Sequence, residues 1–210
     1  MIHYDYYADV PAGAVEELVR SAKLARLVTV GETVPHLGLF PFTHGDGFFE
    51  LHLNRKDEQL ADLRARSSCL LEIDEVLSTI PSDWIHPENA SFATAYHKTV
   101  AFECIATLDD DVDALARQQE RLLARYQPGI AHRQLAADDA MYASMLKVLV
   151  AVRLEVRATK VKFKLGQNRD LETRAKVVGL LRERGGDRDA QTADALQWTI
   201  DLGWTTAGRR

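Results

Sequence analysis

LVTVGETVPHLGLFPFTHGDGFFELHL, residues 27–53, holds three short runs rich in β-formers, Leu27–Val30, Leu37–Phe42 and Phe48–Leu53, parted by Gly31-Glu32 and by His44-Gly45-Asp46-Gly47. Gly and Asp at those breaks supply the backbone freedom of hairpin turns, so the spacing predicts an antiparallel meander. Upstream, Asp9 reads as an N-cap with Pro11 in the first turn and Val15, Leu18, Val19 and Ala22 on one face, a helix running to about Arg26. Downstream, Asp57 caps a short helix through Leu60 and Leu63 to about Arg64, and the apolar run Cys69–Ile73 returns as a strand.

Further out, Leu77–Ala95 carries two prolines and no sustained period, which predicts a long loop. A strand over Thr99–Thr107 follows, and Asp109-Asp110-Asp111 opens a helix with Val112, Leu115, Leu122, Leu123 and Tyr126 on its buried side. A helix over Asp138–Lys147, a strand over Val148–Val156 and a short strand over Val161–Leu165 come next. The chain ends in helices over Leu171–Arg184 and Ala190–Leu202, broken at Gly185-Gly186, with a frayed tail from Thr205 to Arg210. Sequential strands with helices inserted late and at the ends predict an α+β antiparallel barrel, not a doubly wound parallel sheet.

A chain of 210 residues, 46% of them hydrophobic, buries one substantial core, so one domain over residues 1–210 is expected. The net charge of −5 disfavours a surface given over to nucleic acid. Positive charge is nonetheless concentrated late, with eleven Lys or Arg against five Asp or Glu between Arg153 and Arg188. Cys69 and Cys104 sit in apolar strand-like runs and read as buried structural thiols. With no secretory signal and no apolar run long enough to span a bilayer, the expected location is cytoplasmic. GxGxxG, Walker, HExxH and GxSxG motifs are all absent, and the seven His residues lack metal-ligand spacing. No metal, nucleophile, general acid or general base is nominated.

Three groups of residues could carry chemistry. In HLNRKDEQL, residues 52–60, a strand delivers His52, Arg55 and Lys56 to the start of a capped helix, where cations and free backbone N–H groups suit a phosphate; a solvated turn is the bland alternative. Trp84, in the long loop, could cover a planar ring or simply pack on a rim, and Tyr96, His97 and Lys98 could donate to ring edges or phosphate. Gln167, Asn168 and Arg169 place two amides and a guanidinium before a helix, suited to ring carbonyls and nitrogens or to capping.

The run VKFKLGQNR, residues 161–169, resembles the C-terminal signature of the PaiB-type FMN-binding negative transcriptional regulators, relatives of the pyridoxamine-phosphate-oxidase-like split barrels, with Gly166 where Ser is usual. PHLGLFPF, residues 35–42, resembles a second family segment, with Leu39 in its His position. His52 to Gln59 follows a third, with Asp57 and Glu58 in place of Asn-Pro. In the central loop the family has Ser-Trp-Tyr and Pro-Thr-Trp-Asn-Tyr; this chain has Asp83-Trp84-Ile85 and Phe92-Ala93-Thr94-Ala95-Tyr96, keeping Trp84 and Tyr96 alone.

The resemblance implies an antiparallel split β-barrel of the FMN-binding type, working as a homodimer, with C-terminal helices of about 171–202 packed on the barrel or on the dimer partner. It implies FMN with its phosphate on Arg55 and Lys56 beside His52, Tyr96 to Lys98 along the ring, and residues around Gln167 reaching the flavin from the partner subunit. The functions in play are a flavin-dependent oxidoreductase or flavin-sensing regulator, a regulator binding DNA directly, and a haem-binding split barrel.

Overall fold

The structure, a computed structural model, describes residues 5–205; positions 206–210 of the expected frayed tail lie outside the described residues. In chain order the elements are α1 (Asp5–Ala8), α2 (Ala14–Ser21), β1 (Ala25–Val30), β2 (Pro35–Phe40), β3 (Thr43–Gly45), β4 (Phe48–Asn54), α3 (Glu58–Ala65) and β5 (Ser68–Ile80). Two 3₁₀ turns, Ser82–Trp84 and Ala90–Phe92, lead to β6 (Thr94–Asp109), α4 (Val112–Tyr126), α5 (Ala143–Leu146), β7 (Leu149–Lys164), α6 (Leu171–Arg184) and α7 (Asp189–Asp201).

The seven strands form one sheet in the order β2-β1-β5-β6-β7-β4-β3. β1 pairs antiparallel with β2 and β5, and β4 with β3 and β7. Residues 27–53 therefore make two hairpins at opposite ends of the sheet, not one consecutive meander. Pro41, which has no N–H, interrupts the pairing, and the Phe42 N–H donates to the Tyr126 hydroxyl at 3.0 Å instead of to a strand. Only Pro41 and Phe42 separate the two terminal strands, a reach of about 11 Å at full extension, so the sheet must curl until its ends approach.

Other boundaries move for local reasons. Gly13, at φ 82°, delays α2 to Ala14, and the Ser21 hydroxyl donates back to the Leu18 carbonyl as the helix ends, so Arg26 lies in β1. β5 runs past Ile73 to Ile80 because Pro81 is the first residue unable to join the ladder. β7 is one strand through Arg157–Lys160, an exposed polar stretch without Gly or Pro to stop it. The helix expected over 138–147 shrinks to α5. Asp139 draws the Met141 N–H (2.9 Å) and the Arg133 guanidinium (2.6 Å) into a turn of its own.

The chain clusters into two compact units, one made of residues up to 21, 74–100 and 160 onward, the other of residues 22–73 and 101–159. β5, β6 and β7 run through both. The second unit holds the curled sheet around Leu27, Leu51, Leu53, Leu71, Val150, Val152 and Leu154, all buried, where truncation of a Leu to Ala costs about 2–5 kcal/mol. Leu115 and Ala116 of α4 pack there with Leu135, Leu146 and Ala151. Cys69 and Cys104 are half-buried and buried, and burial pushes their thiols up to about 12 and about 11, leaving both unreactive.

In the first unit, α6 and α7 pack on each other. Gly185 ends α6 at φ 59°, and Asp189 then fixes the start of α7. Its carboxylate accepts from Arg184 (2.6 and 2.7 Å), the Ser78 hydroxyl (2.6 Å) and the Gly186 N–H (2.8 Å).

Candidate functional site

The three residues of the 52–56 group lie in the second unit. β4 carries His52 opposite Ala151 of β7, half-buried against α4. Gln119 donates to His52 Nδ1 at 3.0 Å, which leaves Nε2 as the protonated nitrogen, and burial holds the ring below the usual His range. Gln119 and Gln118 are buried polar residues on the face of α4 where Leu122 and Tyr126 were expected. Gln118 is tied to the Leu51 and Val152 carbonyls at 2.9 and 3.2 Å.

Arg55 donates through Nε to the Lys147 carbonyl (2.8 Å) and through a terminal nitrogen to Asp110 (2.5 Å), with its side chain 37% exposed. The Lys56 ammonium is exposed and has no ion-pair partner among the described residues. The backbone is not the expected cradle. The N–H groups of Arg55, Lys56, Asp57 and Gln59 go to Val148 O, Asn54 Oδ1, Asn54 O and Asp57 Oδ1, so the junction offers side-chain donors.

All the other predicted site residues lie in the first unit. Tyr96, Asn168 and Arg169 come together around a cavity of about 200 Å³, joined by Tyr7, Phe92 and Lys164. Gln167 does not face it. Fully buried, it closes its own turn, accepting from the Leu165 N–H (2.8 Å) and donating to the Phe163 carbonyl (2.6 Å). Lys98, on the same strand face as Tyr96, lies outside the cavity and pairs with Glu75 at 2.7 Å, whereas alternation along β6 puts His97 on the opposite face, where it meets Thr99 Oγ1 at 3.1 Å. Burial and the nearby Lys162 and Lys164 keep His97 neutral-leaning. One face of Trp84 is covered by the Arg184 guanidinium at 4.8 Å.

Lys164, Phe92 and Tyr7 at the cavity, and Gln119 and Asp110 beside the 52–56 group, were not singled out from the sequence. Lys164 was within sight: the alternation of VKFKLG buries Phe163 and Leu165 and turns Lys162 and Lys164 the other way. Asp110 and Gln119 are contacts across 55 and 67 residues of chain that no local pattern announces.

Residues 1–158 match the family described as "Putative FMN-binding domain". The chain belongs to that family. No curated protein matches the sequence. Among solved structures, this FMN-binding-domain protein is similar to the flavocytochrome Anf3 from Azotobacter vinelandii, at 14% identity over 78% of this chain and 72% of that one, with a TM-score of 0.64. It is also similar to the FAD and heme binding protein from Mycobacterium smegmatis (12%, 75% and 73%, TM-score 0.62). A conserved hypothetical protein from Mycobacterium tuberculosis is a third (19%, 81% and 96%, TM-score 0.58). At such identities the likeness is one of fold: an α+β antiparallel split barrel, here with a helical C-terminus.

The donor set of residues 52–56 fits the phosphate of FMN. It combines a guanidinium, an unpaired ammonium and a neutral imidazole whose N–H is directed by Gln119, and Asp110 is the carboxylate with which a phosphate must compete for Arg55.

Proposed function

We propose that this chain binds FMN as a homodimer and serves in flavin-dependent electron transfer, the phosphate held by Arg55 and Lys56 with His52 beside them. The observation that carries this reading is the family match over residues 1–158, which include that cationic strand–helix junction. Bound FMN supplies the redox chemistry, and the chain's own residues bind, orient and exclude water. Arg55 is pre-aimed by its Nε bond to Lys147, so one end of the fork stays in place when its terminal nitrogens turn from Asp110 to a phosphate. His52, neutral near pH 7, donates without adding charge.

A second copy is supported by the outer face of the sheet in the second unit. Pro35, Leu37 and Leu39 of β2 stand exposed on it, Leu37 at 63%, beside Val28 and Val30 of β1 in register. An exposed apolar patch of this kind suits a protein partner of the same chemistry.

Direct DNA binding, the activity of a PaiB-type regulator, is disfavoured by where the late basic residues go. Arg153 pairs with Glu50, Arg157 with Glu155, Arg182 with Asp194 and Arg184 with Asp189, while Arg174 is buried. Among the described residues no helix is long and apolar enough to cross a membrane. Flavin fluorescence titrated against the purified protein, together with its native mass, tests the proposal. Quenching that saturates at one FMN per chain in a dimer is expected, and an unchanged flavin signal would overturn it.

A further inference from the structure

The cavity of the first unit has an electrostatic character that the flavin reading does not use. Of the residues that line it, Lys164 and Arg169 are cations and none is Asp or Glu. Neither cation has a carboxylate partner among the described residues; burial first, and then the charges of Lys162 and Arg169, pull Lys164 below the usual Lys range. The Arg169 guanidinium lies 4.5 Å over the Phe92 ring, which positions it as part of the wall.

Tyr96 is 3% exposed, yet its hydroxyl has no hydrogen-bond partner among the described residues. The hydroxyl keeps some accessible surface at the cavity and is open there to a hydrogen bond with a ligand or solvent. Burial pushes it up to about 12, so it stays protonated and is a donor.

A third cation stands behind the cavity. Arg174 is 1% exposed, and its aliphatic stem packs against Gly166, where an added Cβ would meet it at 3.5 Å. One of its nitrogens donates to Thr199 Oγ1 (2.9 Å) and the Trp204 carbonyl (2.8 Å), but Nε and the other terminal nitrogen have no acceptor. The nearby acid, Asp170, is occupied as the N-cap of α6 with the Thr173 N–H at 2.6 Å. Uncompensated positive charge next to a hollow is stabilised by an anion entering that hollow.

We propose that this cavity binds a small planar organic anion, its ring against Phe92 and Tyr96 and its carboxylate or phosphate between Lys164 and Arg169, at a site separate from the one assigned to the flavin phosphate. The size fits: about 200 Å³ is below the roughly 300–1,000 Å³ of pockets for larger ligands, so the cavity accepts one ring with one anionic group rather than a whole flavin. Asn168 at the rim offers an amide for a further polar substituent. As the residues that touch this anion, Lys164, Arg169 and Tyr96 select its charge and shape.

The test is calorimetric titration of the full chain, before and after saturation with FMN, using phenyl phosphate and benzoate, with phenol as the neutral control. The anions bind and phenol binds at least about tenfold more weakly; Arg169→Ala and Lys164→Ala each weaken the anions about tenfold, and Arg169→Lys restores part of the loss. Tyr96→Phe, which keeps the ring, weakens them severalfold, and Lys176→Ala, an exposed charge removed elsewhere on α6, leaves them unchanged. Circular dichroism and the unfolding midpoint identify any variant that has lost its fold, for which Arg169→Lys and Lys164→Gln substitute. No anion binding by the wild-type chain, equal binding of phenol, or unaltered binding by the cavity variants overturns the proposal. Displacement of phenyl phosphate by FMN but not by riboflavin also overturns it, by making the cavity the flavin's own phosphate end. Anion binding with no FMN uptake leaves this site standing and removes the flavin assignment alone.

Discussion

Replacing Arg55 by Ala separates phosphate recognition from ring recognition, because FMN and riboflavin differ only in the phosphate. A hydrogen bond from a charged donor contributes about 1.5–3 kcal/mol. Arg55 must first leave Asp110, and that pair is solvent-exposed on both sides, 37% and 57%, so releasing it costs at most about 1 kcal/mol. The net contribution to FMN is then about 0.5–3 kcal/mol, or roughly 2–160-fold in Kd, with riboflavin unaffected. The same reasoning gives Asp110→Asn the opposite sign: with its competitor neutralised, Arg55 binds FMN up to about fivefold more tightly. Both follow from quenching of flavin fluorescence at low salt, and both effects shrink at high salt as the charges are screened. Equal losses for FMN and riboflavin in Arg55→Ala, or weaker FMN binding in Asp110→Asn, would refute the phosphate assignment.

Other expectations follow from the packing. Asp189→Ala leaves the Ser78 hydroxyl and the Gly186 N–H without their acceptor, beside an Arg184 that is 37% exposed, and costs about 1–3 kcal/mol in urea unfolding. Because Arg184 and Ser78 hold the Asp189 carboxyl well below the usual range, the wild-type stability from this pair is present above the unfolded carboxylate pKa and is lost as pH falls below it. His52 acts in a different window. Folded His52 resists protonation, so stability falls as pH drops through the ordinary His range near 6.5, where the unfolded chain takes up the proton. The difference in unfolding free energy between wild type and His52→Gln should therefore shift against the wild type from pH 7.5 to 5.5, whatever His36 and His132 contribute to both. Leu37→Glu combined with Leu39→Glu puts charge on the exposed face of β2 and should shift sedimentation from dimer to monomer while circular dichroism still reports a folded chain.

The strand runs of residues 27–53 were legible because Gly and Asp punctuate them, and Asp57 and Asp111 are observed accepting from the helix N–H groups their sequence positions indicate, whereas the helix expected from Asp9 starts only at Ala14. The order of the sheet was not legible. Nothing in Pro41-Phe42 distinguishes a tight link within a meander from the seam of a curled sheet, since that depends on pairing with β5 and β7 far along the chain. The roles of polar residues depend on distant contacts in the same way: no local pattern marks Gln118 and Gln119 as buried, yet Leu51, Val152 and His52 take their amides. Gln167 looked like a ligand donor, and its geometry shows it closing a turn. The fold and the existence of a cationic junction were thus written locally, whereas which donors remain available depended on contacts between distant segments.

The FMN assignment rests most directly on flavin retention. The protein, saturated with FMN and passed through a desalting column, should elute with flavin absorbance bands at one FMN per chain, and riboflavin treated identically should be retained less. Elution of the polypeptide free of flavin after FMN loading would contradict it.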